Sequence, residues 1–226
     1  MSSYDKEKTP RLPNLAPMSV RIAILLSGRH GRGSNMQAIA YACASGQIAG
    51  TVALVIGNSD SPALACAASM GLAAKVIASK QDEEKYAQAL SAALSDAQID
   101  LICLAGYMRK VPDTVVAAYR GRLMNIHAAL LPAFGGQGMY GIHIHEAVLN
   151  YGAKVSGCTV HFVDEHYDTG PIICQSTVPV EEDDTPETLA GRVLIAEHET
   201  YPRAVALFAA GRLSLDGRRV RIRGGQ

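Results

Sequence analysis

Unbroken apolar runs separated by helix-length polar stretches organise the first half of the chain. Residues 20–26 (VRIAILL) form such a run, as expected of a strand buried on both faces. Residues 51–56 and 100–105 (DLICLA) read as further strands, with a short one at 74–78. Between them the spacing predicts a helix over 35–45, with Ser34 as cap and Gly46 as stop. A second helix starts at Ser61-Pro62 and ends at Gly71. A third, over 81–97, places Tyr86, Leu90, Ala93 and Leu94 on one face. A fifth strand is expected over 123–126. This alternation predicts an α/β fold, an open and mostly parallel twisted sheet with helices on both faces. Ligands bind such sheets beyond the carboxyl ends of the strands. Three stretches then converge: the loop after Leu26, the turn Gly106-Tyr107-Met108-Arg109, and residues 125–132.

The pattern changes in the second half. Residues 133–141 (AFGGQGMYG) carry four glycines and read as a loop, followed by a short helix over 142–150 closed by Gly152. Residues 155–163 alternate in part, with Cys158, Val160 and Phe162 on one face and Thr159 and His161 on the other. They are expected to pair with 171–180 as an antiparallel hairpin around the 164–170 turn. A long helix over 186–207 is entered through Thr185 and Pro186. An Asp-Gly turn inside 213–222 (LSLDGRRVRI) signals a second hairpin. The antiparallel part thus falls at the C-terminal end.

Composition narrows the function classes. Twenty-one Lys and Arg balance 21 Asp and Glu, so an anionic ligand must be met by local groups, and a general pull toward nucleic acid or membrane is not expected. No apolar run approaches the roughly 18 residues of a membrane-spanning helix. Residues 1–17 are polar, contain Pro10, Pro13 and Pro17, and lack the apolar core of a signal peptide. The cysteines, Cys43, Cys66, Cys103, Cys158 and Cys174, have no Cys-x-x-Cys spacing and lie mostly in apolar runs. They read as free thiols of a cytoplasmic protein. The absence of Trp disfavours a base-stacking platform. Neutral charge permits a monomer or a homodimer.

Candidate chemistry gathers in three places. Gly28-Arg29-His30-Gly31-Arg32-Gly33-Ser34-Asn35 lies between a strand and a helix, where free amides and the helix dipole favour an anion. Its spacing matches neither Gly-x-x-x-x-Gly-Lys-Ser/Thr nor Gly-x-Gly-x-x-Gly. A phosphomonoester site, a structural turn and a dinucleotide site remain as readings, in that order. Asn125 and His127 are two apart at a strand end and so share a face. An amide donates to a developing oxyanion, and an imidazole moves protons near neutral pH. Asp168, in Asp168-Thr169-Gly170-Pro171, is read either as the carboxylate that orients that imidazole or as a structural Asx turn. The remaining histidines are read as structural or surface residues. His143 and His145 point to different faces of a helix and make a poor metal pair, so no metal is expected. Glu197 reads as part of a solvated helix face.

In combination, Ser27-Gly28, Gly33-Ser34-Asn35-Met36-Gln37-Ala38, Leu104-Ala105-Gly106-Tyr107-Met108-Arg109, Asn125-Ile126-His127 with Leu130-Leu131-Pro132, Asp168-Thr169-Gly170-Pro171 and Glu197-His198 with Tyr201-Pro202 give the chain a resemblance. From about residue 21 to 213 it resembles the glycinamide ribonucleotide formyltransferase family, the folate-dependent enzymes of purine synthesis. The resemblance implies a formyltransferase domain over 20–213, a flexible tail over 1–19 and a hairpin or tail over 214–226. It implies 10-formyltetrahydrofolate as co-substrate, small-molecule substrates, and Asn125, His127 and Asp168 as the catalytic trio. Gly33, Ser34 and Asn35 would hold the ribose phosphate, and Glu197 the glycinamide end. Met108, Arg109, Lys110 and Val111 would border the folate on one side, and Asp164, Glu165, His166, Tyr167 and Asp168 on the other, with Asn125 between them. Glu83 stands where some members carry an arginine for the folate tail, and that role is not carried over. Methionyl-tRNA formyltransferases and formyltetrahydrofolate deformylases share the core, and are set apart by further domains.

Overall fold

The computed structural model describes residues 19–27, 31–78 and 82–224. The expected tail therefore lies almost wholly outside the described residues, as do Gly28, Arg29 and His30. The chain runs β1(Val20–Leu26), α1(Ser34–Ala44), β2(Gly50–Gly57), α2(Pro62–Ser69), β3(Ala74–Val76), α3(Glu83–Asp96), β4(Leu101–Leu104), α4(Asp113–Ala118), β5(Leu123–His127), α5(Ile142–Tyr151), β6(Val155–Phe162), β7(Ile172–Pro179), α6(Pro186–Ala209), β8(Leu213–Asp216) and β9(Arg219–Ile222). The first seven strands form one sheet in the order β3-β2-β1-β4-β5-β6-β7, and β8 and β9 form a separate two-stranded sheet. β1 to β5 are parallel, while β6 returns antiparallel to β5 and β7 antiparallel to β6.

Both faces of the sheet are covered. Along β1, Val20, Ile22, Ile24 and Leu26 join one apolar cluster, while Ala23 and Leu25 join the other. The first cluster takes in Met36 and Ile39 of α1, Val148 of α5 and Leu189, Val193 and Val205 of α6. The second takes in Tyr86, Leu90 and Leu94 of α3 and Val115 and Val116 of α4. The strand is apolar throughout because each face meets helices.

Local signals explain most element ends. α2 starts at Pro62 behind Ser61, whose hydroxyl accepts from the Leu64 N–H at 3.2 Å. α6 starts with a capping box between Thr185 and Thr188. α1 departs from the expected cap. Ser34 is its first helical residue, and Gly33 stands before it at φ 70 with no side-chain cap. That conformation suits glycine, and a Cβ there would lie 3.0 Å from the Ala63 Cβ. α4 was not anticipated. Six residues entered through Pro112 are too few for helical periodicity to register.

The order of strands puts the reversal of winding between β1 and β4. The carboxyl ends of β1, β4 and β5 therefore open onto one side, where a crevice forms. Tyr201 of α6 ties the carboxyl end of β4 to the neighbouring strand β5. Its buried hydroxyl is 3.1 Å from both the Leu104 carbonyl and the Met124 carbonyl and shares its hydrogen between them. Tyr201→Phe should lower the free energy of unfolding by about 1 kcal/mol, the worth of one buried hydrogen bond, in a urea titration of the two proteins. An unchanged midpoint would show that the link contributes nothing.

Candidate active site

A cleft of about 750 Å³ opens beyond these strand ends. Its walls come from Asn35, from residues 106–111, from Asn125 and His127, from residues 136–142, from the turn after β6, and from α6 up to Glu197.

His127 ends β5 and is 5% exposed. Its Nε2 lies 2.8 Å from the Phe134 carbonyl, which can only accept, so Nε2 carries a hydrogen. Nδ1 faces Asp168 Oδ2 at 3.6 Å. Burial lowers the His127 pKa below the ordinary value; Asp168 and the Phe134 carbonyl oppose the shift, and His161 adds to it. For Asp168, burial pushes the carboxyl pKa up. His161, His127 and the Gly136 N–H (2.9 Å) outweigh burial, so the net shift is downward and the group is an anion at neutral pH.

Both partners of the His127 ring sit in unusual backbone. Phe134 has φ 53 and Asp168 φ 56, two of the three non-glycine left-handed residues described. Such residues persist where the surroundings over-determine them. The turn carrying Asp168 is held from several sides. The Asp164 carboxylate accepts from the His166 N–H at 3.2 Å and the Thr169 hydroxyl at 2.7 Å. Gly170 folds so close to β6 that a Cβ would lie 1.7 Å from the Phe162 carbonyl oxygen. Glu165 pairs with Arg120 and does not line the cleft.

Asn125 and His127 share a face of β5, and the β5–β6 register sets His161 opposite Asn125 and Thr159 opposite His127. His161 Nδ1 donates to the Phe162 carbonyl at 2.8 Å. Its Nε2 stands 3.2 Å from Asn125 Nδ2 and 3.7 Å from Asp168 Oδ1. In the neutral ring Nε2 accepts from the amide, which leaves the second amide hydrogen of Asn125 for the cleft. Thr159 secures the chain after His127: its hydroxyl donates to the Ala129 carbonyl at 2.7 Å and accepts from the Leu131 N–H at 3.0 Å. Gln175 donates to both Thr159 Oγ1 and the Leu131 carbonyl.

At the other end of the cleft, Asn35 Nδ2 donates to Glu197 Oε2 at 2.8 Å. Glu197 is 7% exposed, not solvated as its helix position suggested. Burial raises its pKa from 4.5 to about 7, against the opposing hydrogen bond from Asn35. Asn35 Oδ1 is buried without a partner. Gly33 and Ser34 stand at the head of α1 next to Asn35 but do not line the cleft themselves. Among the expected folate residues, Met108 is 52% exposed on the wall and Val111 is buried. Arg109 lies over the Tyr86 ring at 4.8 Å, and Lys110 pairs with Asp113 at 2.8 Å. Asp164, His166 and Tyr167 line the cleft with Asp168.

Residues 20–205 match the model of a family described as formyl transferase. The chain belongs to the phosphoribosylglycinamide formyltransferase family. It is 41% identical over 201 residues to a chloroplastic phosphoribosylglycinamide formyltransferase of Arabidopsis thaliana, covering 87% of this chain and 68% of the relative. To the phosphoribosylglycinamide formyltransferase of Escherichia coli K12 it is 38% identical over 211 residues, 89% of this chain and 96% of that protein. The crystal structure of glycinamide ribonucleotide transformylase 1 from Symbiobacterium toebii superposes with a TM-score of 0.85 at 42% identity, covering 96% of this chain and 100% of that one.

In this formyltransferase chain the structure brings together Asn125, His127 and Asp168, and separately Asn35 and Glu197. Sequence reasoning missed His161, although it placed His161 on one face with Thr159. Only the strand register shows that this face continues from Asn125. His145 was also read as structural, yet it is 4% exposed, lines the cleft and leaves Nδ1 without a partner. Among the described residues no group of three or more His, Cys, Asp or Glu side chains is arranged to hold a metal ion. No helix described is long and apolar enough to cross a membrane.

The Glu197 carboxyl makes a linkage prediction. The folded state binds its proton more tightly than the unfolded chain, so stability falls as pH rises from about 4.5 through 7. Glu197→Gln should therefore exceed the wild type in stability by about 2–3 kcal/mol at pH 8 and match it below about pH 4.5, in chemical denaturation across that range. A difference independent of pH would refute the assignment.

Proposed function

We propose that this cleft transfers the formyl group of 10-formyltetrahydrofolate to the primary amine of 5'-phosphoribosylglycinamide in purine biosynthesis, with Asn125, His127 and Asp168 as the catalytic groups. The convergence of these three side chains from β5 and the turn after β6 supports the reading most directly. The substrate phosphate goes to the head of α1, where Gly33, Ser34 and Asn35 stand and backbone amides favour an anion. Glu197, beside Asn35, meets the glycinamide ribonucleotide. The folate lies between residues 108–111 and the turn with Asp164, His166, Tyr167 and Asp168. A cleft of about 750 Å³ is within the range of sites for ligands of this size. Glu165, paired with Arg120, supports the folate wall from behind.

The amine nitrogen attacks the formyl carbon, and the carbonyl electron pair moves to oxygen. The free amide hydrogen of Asn125 and the protonated His127 ring stabilise that oxyanion, at roughly 3–4 kcal/mol for a preorganised donor. When the tetrahedral intermediate collapses, the bond from carbon to the folate nitrogen breaks and its electron pair stays on that nitrogen. One proton leaves the attacking amine and one reaches the folate, so the balance is zero. Burial holds His127 at a pKa low enough to release a proton near neutral pH, and Asp168 holds the charged ring while it carries one.

A formyl-transfer assay with and without phosphoribosylglycinamide tests the acceptor: folate release should require the ribonucleotide, and release without it would indicate hydrolysis instead. His127→Ala should keep its melting temperature and ligand binding while kcat falls by at least about 10²-fold. Turnover close to wild type would remove His127 from the mechanism. Asn35→Ala should raise KM for the ribonucleotide several times more than KM for the folate, and equal effects on both would count against the phosphate end placed there.

A further inference from the structure

The β8–β9 hairpin is rich in arginine, and the formyl-transfer reading leaves it without a role. Two arginines in and beside it are engaged locally. Arg221 grips Asp216 through two hydrogen bonds of 2.6 and 2.9 Å, and Arg212 donates to the Arg223 carbonyl at 2.8 Å. Arg218, at the tip, reaches elsewhere. Its Nη2 donates to the Thr169 carbonyl at 2.6 Å, across 49 residues. Thr169 directly follows Asp168. The hairpin comes against the start of β7, where Ile172 and Arg218 to Arg221 line a shallow, open depression.

We infer that Arg218 is a positioning residue for formyl transfer: from a separate sheet it fixes the peptide after Asp168, and so holds the left-handed Asp168 where its carboxylate meets His127, His161 and Gly136. The inference rests on the role given to Asp168 above. Three observations support it. A left-handed aspartate is held only by its surroundings, and inside the turn the Asp164 carboxylate ties the His166 N–H before Asp168 and the Thr169 hydroxyl after it. Arg120 fastens the same turn further back, at Glu165. Past Asp168, the hydrogen bond from Arg218 is the tie that comes from outside the main sheet. A guanidinium suits the task because its charge strengthens the bond to a carbonyl and its planar group restrains direction.

The test compares Arg218→Ala with Arg218→Lys and with Arg219→Ala, which removes an equal charge from the same hairpin without removing that bond. Arg218→Ala should lower kcat about 10-fold, with KM for either substrate changed less than about 2-fold and the melting temperature unchanged, as expected when a catalytic group is slightly misplaced. Arg218→Lys should recover most of the loss, and Arg219→Ala should behave as wild type. The His127 ring, followed by NMR, should titrate at lower pH in Arg218→Ala, because Asp168 is the carboxylate that opposes the effect of burial. The other titratable groups around the ring, His161 on β6 and His145 on α5, are unchanged in that variant. In an Asp168→Asn background, Arg218→Ala should cost less than a further 2-fold. Equal behaviour of Arg218→Ala and Arg219→Ala, or a full 10-fold loss on top of Asp168→Asn, would overturn the inference. Wild-type kcat in Asp168→Asn alone would instead remove the catalytic role of Asp168.

Discussion

The antiparallel pairing of β6 with β5 is the constraint on which the site depends. Up to β5 the sheet is parallel, and each strand end delivers only the loop that follows it. The return of β6 alongside β5 adds a second set of side chains at the same level, His161 beside Asn125 and Thr159 beside His127. It also carries the chain back to the crevice, so that the next turn places Asp168 against both imidazoles. A slip of one residue in this register would turn His161 and Thr159 to the opposite face and separate the amide from its imidazole partner.

The electrostatics follow from this arrangement. Two imidazoles and one carboxylate share a nearly dry volume, with exposures of 5% for His127, 2% for His161 and 11% for the Asp168 side chain. Burial alone would neutralise His127 and Asp168. The carboxylate remains an anion because the two rings and the Gly136 N–H face it, and the His127 ring remains able to accept a proton because that anion faces it. His127 and Asp168 thus act on each other's ionisation. The backbone takes part as well, since Phe134 and Asp168, which meet the two nitrogens of the His127 ring, are both held in left-handed conformations. At the far end of the cleft Glu197 shows the opposite balance. One amide from Asn35 does not compensate its burial, and the carboxyl retains its proton to about pH 7.

Much of this was legible in the sequence because it depends on local pattern. The apolar run at residues 20–26, the Ser61-Pro62 entry to α2, the glycine stop after α5 and the Thr185 cap of α6 are short-range signals, and each element lies where they place it. Asn125 and His127 were legible because strand periodicity puts residues two apart on one face. The features that stayed hidden depend on contacts between distant segments. Glu197 looks solvated on its own helix, yet it is buried in the fold and bonded to Asn35, 162 residues earlier. His161 acquires meaning only once the β5–β6 register is known. The Gly33 cap depends on the approach of Ala63 from another helix, and α4 is too short for any period to appear.

The position of Tyr201 and Glu197 on α6 has a consequence for the order in which the molecule becomes competent. α6 is the last helix of the chain, yet it joins the end of β4 to Met124 of β5 and closes the cleft at Asn35. During synthesis the first five strands can pair, and Asn125 and His127 can reach their places, well before residue 201 leaves the ribosome. Until α6 docks, the two strands lack their shared hydroxyl and the cleft lacks its wall beside Asn35. A growing chain therefore holds Asn125 and His127 in a cleft still open at the Asn35 end. The cleft is thus completed by a segment that is made late, and its Asn35 end is the last to form.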